Sequence, residues 1–243
     1  MKFRGIGLAI IASGAAVFNS CFQPPEYAPV PAIEYESIIF KDITDPSLAD
    51  SLIVTVRFKD GDGDLGLDAT DQADNSAPYN NKNYLYLSNG TKVNYKTKRT
   101  NPSYFYLPSF INPYNCTNWE ITTVSGKTDT LYFDLNPNHN NIYVDYLIKN
   151  NDGSFKKFDW LTEFVYPNCG ISYDGRFPRL YKDLTHKTPI EGSIRYAMTS
   201  VGFLILFSTK TLKLRVTIQD RSLHPSNIIE TPEFTLQSIK KSG

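Results

Sequence analysis

Between Asp60 and Asp74 the chain carries six aspartates and no lysine, arginine or histidine. Carboxylates about 6 Å apart repel by roughly 0.7–3 kcal/mol, according to the local dielectric. A folded segment this acidic must be either fully solvated or neutralised by a cation. The residues just before it, 51–58, alternate apolar and polar, with Leu52, Val54, Val56 and Phe58 on one face. That period of two predicts a half-buried strand, so the acidic stretch is a loop leaving a strand end.

Counting Asp60 as position one, carboxylates fall at positions one, three, five, nine and twelve: Asp60, Asp62, Asp64, Asp68 and Asp71. Oxygen ligands at such intervals, with a backbone carbonyl at position seven (Gly66 here), are how a calcium loop wraps a hard cation. The spacing predicts a Ca²⁺ site from Asp60, Asp62, Asp64, Gly66, Asp68 and Asp71. It resembles an EF-hand loop, and more closely the aspartate-rich calcium repeats of thrombospondin type. Leu65 stands where an EF-hand has glycine, the last ligand is Asp rather than Glu, and a strand precedes the loop in place of a helix. A structural ion is therefore expected rather than a two-helix switch. The alternative is a plain hydrophilic Asp-Gly turn.

Along the rest of the chain, short strand patterns are separated by turn signals. Asn89-Gly90, Ser125-Gly126-Lys127 and the run Asn150-Asn151-Asp152-Gly153 each sit between strand candidates and predict hairpins. Residues 201–207 are apolar on both faces and predict a strand in the middle of a sheet. Residues 212–218 alternate cleanly and predict a half-exposed one. Strands are also expected over 91–97, 104–110 and 233–238, and no helix is. A dozen short strands of this kind predict an all-β fold, an antiparallel immunoglobulin-like β-sandwich. Within residues 32–240 the length admits one domain with a long insertion or a second β lobe, the best sub-boundary being the Pro- and Gly-rich stretch 167–189.

The N-terminus predicts a destination. Lys2 and Arg4 precede a short apolar run, and Asn19-Ser20-Cys21 reads as a lipoprotein cleavage box. Residues 1–20 are then a signal peptide, Cys21 is the lipidated residue, and the proline-rich 21–31 is a flexible tether. A plain signal peptide with a free cysteine is the other reading. Cys116 and Cys169 are a disulfide candidate in an oxidising compartment, with two separate thiols as the alternative.

The charges balance at 25 basic and 25 acidic residues; without Lys2 and Arg4 the mature chain sits near −2. That argues against a nucleic-acid partner. There is no Gly-x-Ser-x-Gly, no His-Glu-x-x-His and no phosphate-binding glycine loop. Glu120, Glu163, Glu191 and Asp159 could include a glycosidase pair, but their separation is not a sequence property. Tyr84, Tyr86, Tyr104, Phe105, Tyr106 and Trp119 would suit either a sugar-stacking platform or ordinary core packing.

Three features together resemble Bacteroidetes-type outer-membrane lipoproteins to whose relatives no activity is assigned. They are Ser20-Cys21, the strand-and-loop Val56-Arg57-Phe58-Lys59-Asp60-Gly61-Asp62-Gly63-Asp64-Leu65-Gly66, and the closing segment. In the closing segment Ile218-Gln219-Asp220 ends one strand and a polar loop leads to Thr231-Pro232-Glu233-Phe234. The resemblance implies an outer-membrane, lipid-anchored, non-enzymatic module, Ca-stabilised, with a protein or glycan partner. A carbohydrate-binding lipoprotein for glycan uptake is the alternative, and a glycoside hydrolase the weaker one.

Overall fold

The computed structural model describes residues 25–43, 45, 48–107, 119–124, 126–160, 163, 172–181 and 185–242. Cys21, Cys116 and Cys169 lie outside the described residues, and with them the lipid anchor and the disulfide candidate.

The described chain is all-β. β1 (Ala32–Asp42) and β2 (Asp50–Asp60) form an antiparallel pair, followed by β3 (Lys82–Tyr84), β4 (Trp119–Val124) and β5 (Lys127–Leu135). Then come β6 (Ile142–Lys149), β7 (Phe155–Lys157), β8 (Ile190–Ser200), β9 (Leu212–Ile218), β10 (Ile229–Glu230) and β11 (Lys240–Ser242). They assemble into three sheets, ordered β11-β1-β2-β8, β10-β9-β6-β7 and β3-β5-β4. Every pairing is antiparallel except that of β11 with β1.

The two four-stranded sheets share one apolar core. Leu52, Val54 and Val56 of β2 and Ile194 and Met198 of β8 pack in the same cluster as Val144 and Tyr146 of β6 and Leu212, Leu214 and Val216 of β9. Burial alternates strictly along β9, where Lys213, Arg215 and Thr217 remain half-exposed, as the sequence period requires. Each large apolar side chain so buried contributes roughly 1.5–3 kcal/mol. The third sheet, which the sequence inserts between β2 and β6, has a small core of its own around Val93, Leu107 and Tyr132.

Two of the expected hairpins are present: β4 with β5 around Gly126, and β6 with β7 around Gly153, both glycines at positive φ. Around Gly90 the chain also reverses, with a single bridge from Tyr86 to Lys92.

The expected absence of helices is corrected in two places. The strand expected over 91–97 gives way to a helix, α1 (Tyr95–Thr100), because the Asn94 carboxamide caps it by accepting from the Thr97 amide at 2.9 Å. The strand expected over 201–207 is α2 (Phe203–Phe207). There one helical turn brings Phe203 and Phe207 to the same buried face and leaves Ile205 84% exposed. Both rings join Tyr146, Trp160 and Tyr173 in an aromatic cluster, with Phe207 at 5.5 Å from Tyr146 and Phe203 at 5.4 Å from Tyr173. Neither do two other strand expectations hold. Residues 102–104 form a 3-10 turn (107 is the last described residue there), and most of 233–238 is irregular, ending in a 3-10 turn, with a lone bridge from Phe234 to Leu212.

The ladder of β2 with β8 runs from Asp50 opposite Ser200 to Asp60 opposite Ile190. α2, directly after β8, therefore closes the end of the core where β2 begins. Asp60 stands at the other end.

Candidate metal centre

The pleat delivers the first carboxylate. Leu52, Val54, Val56 and Phe58 face the core along β2, and Asp60 is the next inward position, fully buried. β9 repeats the arrangement: Leu212, Leu214, Val216 and Ile218 face inward, and Asp220 is the next in phase, 3% exposed. Both strands run towards the same end of the core, so two aspartates from opposite sheets meet there.

Asp64 completes the group. One carboxylate oxygen from each of Asp60, Asp64 and Asp220 lies within 4.8 Å of the others. The loop returns Asp64 to Asp60 through a hydrogen bond from its own amide to Asp60 Oδ2 at 3.1 Å. The closing segment then grips it: the Ser222 hydroxyl donates to Asp64 Oδ2 at 2.8 Å, and the Arg221 amide donates to the Asp64 carbonyl at 3.2 Å. Asp220 accepts from the His224 amide at 2.7 Å and faces the His224 Nδ1 at 2.9 Å.

Three oxygens are left over. Asp60 Oδ1, Asp62 Oδ1 and Asp64 Oδ1 are buried without a hydrogen-bond partner among the described residues. An orphaned buried carboxylate oxygen costs several kcal/mol unless it is protonated or meets a cation. The electrostatics agree. Burial, and then the charges of Asp62, Asp64 and Asp220, push the Asp60 carboxyl up to about 7. Burial also raises Asp64 and Asp220 above the usual carboxylate range. A donor set made only of carboxylate oxygens suits a hard divalent cation such as Ca²⁺ or Mg²⁺.

The glycines in this loop make room for neighbouring chain. The Gly61 amide donates to the Ala28 carbonyl at 2.9 Å, and a side chain at Gly61 would collide with the Tyr27 and Ala28 backbone. Tyr27 and Ala28, expected to belong to a flexible tether, thus lie against the loop, with the Tyr27 hydroxyl donating to Glu191 at 2.7 Å. Gly66, with φ 101°, lets the Pro178 carbonyl approach where any Cβ would clash.

The remaining members of the aspartate series have other partners. Asp62 Oδ2 accepts from Lys187 Nζ at 3.1 Å. Asp68 is half-buried and binds the amide and hydroxyl of Thr70, which hold its carboxyl below the usual range. Asp71 pairs with Arg179 at 2.7 Å. Asp74, fully buried, pairs with Arg179 at 2.7 Å and closely with Arg221. Burial pushes Asp74 up, but the Asp68 amide and the two guanidiniums outweigh it and hold its carboxyl low. Residues 60–74 themselves contain no lysine, arginine or histidine; Arg179, Lys187 and Arg221 arrive through the fold. Asp68 and Asp71 do not join Asp60 and Asp64, so the ladder of twelve positions does not close around one point. Asp220, which the spacing could not contain, takes their place.

The carboxylates considered for a glycosidase pair stand on different elements. Glu120 on β4 binds Lys82 and Tyr84, Glu163 lies 3.4 Å from Lys156, and Glu191 on β8 accepts from Tyr27.

Fold and site together define an all-β protein with a buried aspartate cluster at the meeting of two sheets, able to hold a metal ion. Compared with protein-family models, with curated proteins and with solved structures, the chain matches none.

Proposed function

We propose that this chain is a non-enzymatic, lipid-anchored protein of the outer membrane, an immunoglobulin-like β-sandwich stapled by Ca²⁺ at Asp60, Asp64 and Asp220. Asp62 supplies a further oxygen. The observation that carries this reading is the set of orphaned oxygens on Asp60, Asp62 and Asp64, at the point where the ends of β2 and β9 converge. An ion there joins both sheets and the closing segment, so its role is mechanical: it fixes the loops at one end of the core for a protein or glycan partner. Cys21, as the acylated residue, supplies the anchor.

The test is thermal melting of the purified protein with Ca²⁺ and with chelator. At a hundred times the dissociation constant, a bound ion stabilises by about 2.7 kcal/mol. An unchanged midpoint removes the ion from the reading.

A second reading, carbohydrate capture for glycan uptake, is favoured by exposed aromatics on the third-sheet lobe: Tyr86 (54%), Phe105 (57%) and Tyr106 (74%). Rings left in water at these positions can stack on sugars. A glycan array without hits ends that reading.

A further inference from the structure

The aspartate cluster opens on one side into a cleft of about 370 Å³, lined by Asp62, Asp64, Tyr79, Lys187, Arg221 and Ser222. A cleft of this size lies at the lower end of small-ligand sites. Asp64 belongs to both cluster and cleft; Asp62 beside it, its side chain only 5% exposed, also lines the cleft and keeps Oδ1 unpartnered among the described residues.

Resting on the reading of an ion at Asp60, Asp64 and Asp220, we propose that the cleft binds a neutral sugar whose adjacent hydroxyls complete the coordination of that ion. Calcium takes six to eight oxygens. Asp60, Asp62, Asp64 and Asp220 supply about four, which leaves two to four positions on the cleft side.

Charge selects the ligand class. By formal charge, four carboxylates set against a divalent ion and the Lys187 ammonium leave these groups negative by one. Arg221 adds nothing to the balance, because its guanidinium is tied to buried Asp74. A phosphate or carboxylate ligand would enter against that charge. Vicinal hydroxyls bring two oxygens at no electrostatic cost. Lys187, with its side chain 80% exposed and three donors, of which one meets Asp62, can donate to a third sugar oxygen at the rim.

The experiment is ligand-observed NMR on the purified protein with galactose, glucose and galacturonate, in Ca²⁺ and in chelator, beside a Ca²⁺ melting series. A neutral sugar should bind in Ca²⁺ and lose at least tenfold in affinity in chelator. Lys187→Ala should weaken it threefold or more while Ca²⁺ still raises the melting midpoint. Galacturonate binding more tightly than galactose overturns the charge argument. So does sugar binding that persists in chelator. A protein that Ca²⁺ stabilises but that binds no sugar overturns this inference and leaves the ion site standing. A protein that Ca²⁺ leaves unchanged removes both.

Discussion

Asp60 and Asp220 hold equivalent places in the two facing sheets: each is the next inward position after an unbroken apolar row, on β2 and on β9. A strand that buried leucines and valines at every second residue is made to bury a carboxylate at the next. Two such carboxylates facing each other are costly unless one is protonated or a cation lies between them. Asp220→Asn separates these effects. In chelator the variant should melt at or above the wild type, because one charge facing Asp60 has gone. In Ca²⁺ the gain should shrink. If affinity drops tenfold, the wild type's gain of about 2.7 kcal/mol at a hundred times its dissociation constant becomes about 1.4 kcal/mol. Calorimetric titration of Ca²⁺ into both proteins checks it, and equal affinities would remove Asp220 from the ligand set.

The same burial sets a pH dependence. The Asp60 carboxyl is raised from 3.8 to about 7, by burial first and by Asp62, Asp64 and Asp220 next. Without an ion, the folded protein therefore holds a proton that the unfolded chain has released between roughly pH 4 and 7. Stability from this group is complete below pH 4 and is lost as pH rises through 7. Melting midpoints in chelator should fall from pH 5 to pH 8. Ca²⁺ competes with that proton, so its stabilising increment should grow over the same interval. Proton release on adding Ca²⁺ to a weakly buffered sample at pH 6 measures the exchange directly.

The sequence carried most of this site in plain form. Asp60, Asp62 and Asp64 announce themselves by density, and the alternation of β2 already placed Asp60 on the inward face. Asp220 was legible by the same rule, since Leu212, Leu214, Val216 and Ile218 point to it at the next step. What the sequence could not show is that β2 and β9 end side by side, because that depends on how two sheets stack. Asp68 and Asp71 were misleading for the same reason. Their spacing fits a ligand ladder, but the cations Arg179 and Arg221 that settle Asp71 and Asp74 are more than a hundred residues away. The all-β, antiparallel character followed from strand periodicity, because period-two burial is local.

Asp74 supports a separate prediction, about folding rather than ions. It is fully buried between Arg179 and Arg221, which are themselves less than a fifth exposed. Removing Asp74 leaves the Arg221 guanidinium without its carboxylate and Arg179 with Asp71 alone, and the cost is about 3 kcal/mol, near the low end for buried ion pairs because the arginines keep some solvent. Asp74→Ala should lower the melting midpoint by roughly 6–12 °C in a domain of this size, equally with Ca²⁺ and with chelator. Because the carboxyl is held below 3.8, its contribution is present above that pH and is lost as pH falls through the lowered value. The gap between variant and wild type should therefore narrow in acid. A variant whose loss vanishes in Ca²⁺ would mean that Asp74 belongs to the ion site after all.

The far end of the core gives the sharpest test of a place where periodicity failed. Residues 201–207 are apolar throughout, so a strand and a helix both satisfy the pattern, and the difference rests on Ile205. In a strand, Phe203, Ile205 and Phe207 would share one face. In α2, Phe203 and Phe207 lie one turn apart against Tyr146, Phe158 and Trp160, and Ile205 points to water. The helix wins because it lets two rings close the end of the core without extending a sheet that has no further partner there. Phe207→Ala should cost about 3–5 kcal/mol, since the ring is fully buried among aromatics that cannot collapse into the space. Ile205→Ser should stay within about 0.5 kcal/mol of wild type, as exposed substitutions do. Urea denaturation of the two variants decides between the geometries, and a large loss from Ile205→Ser would return this segment to the sheet.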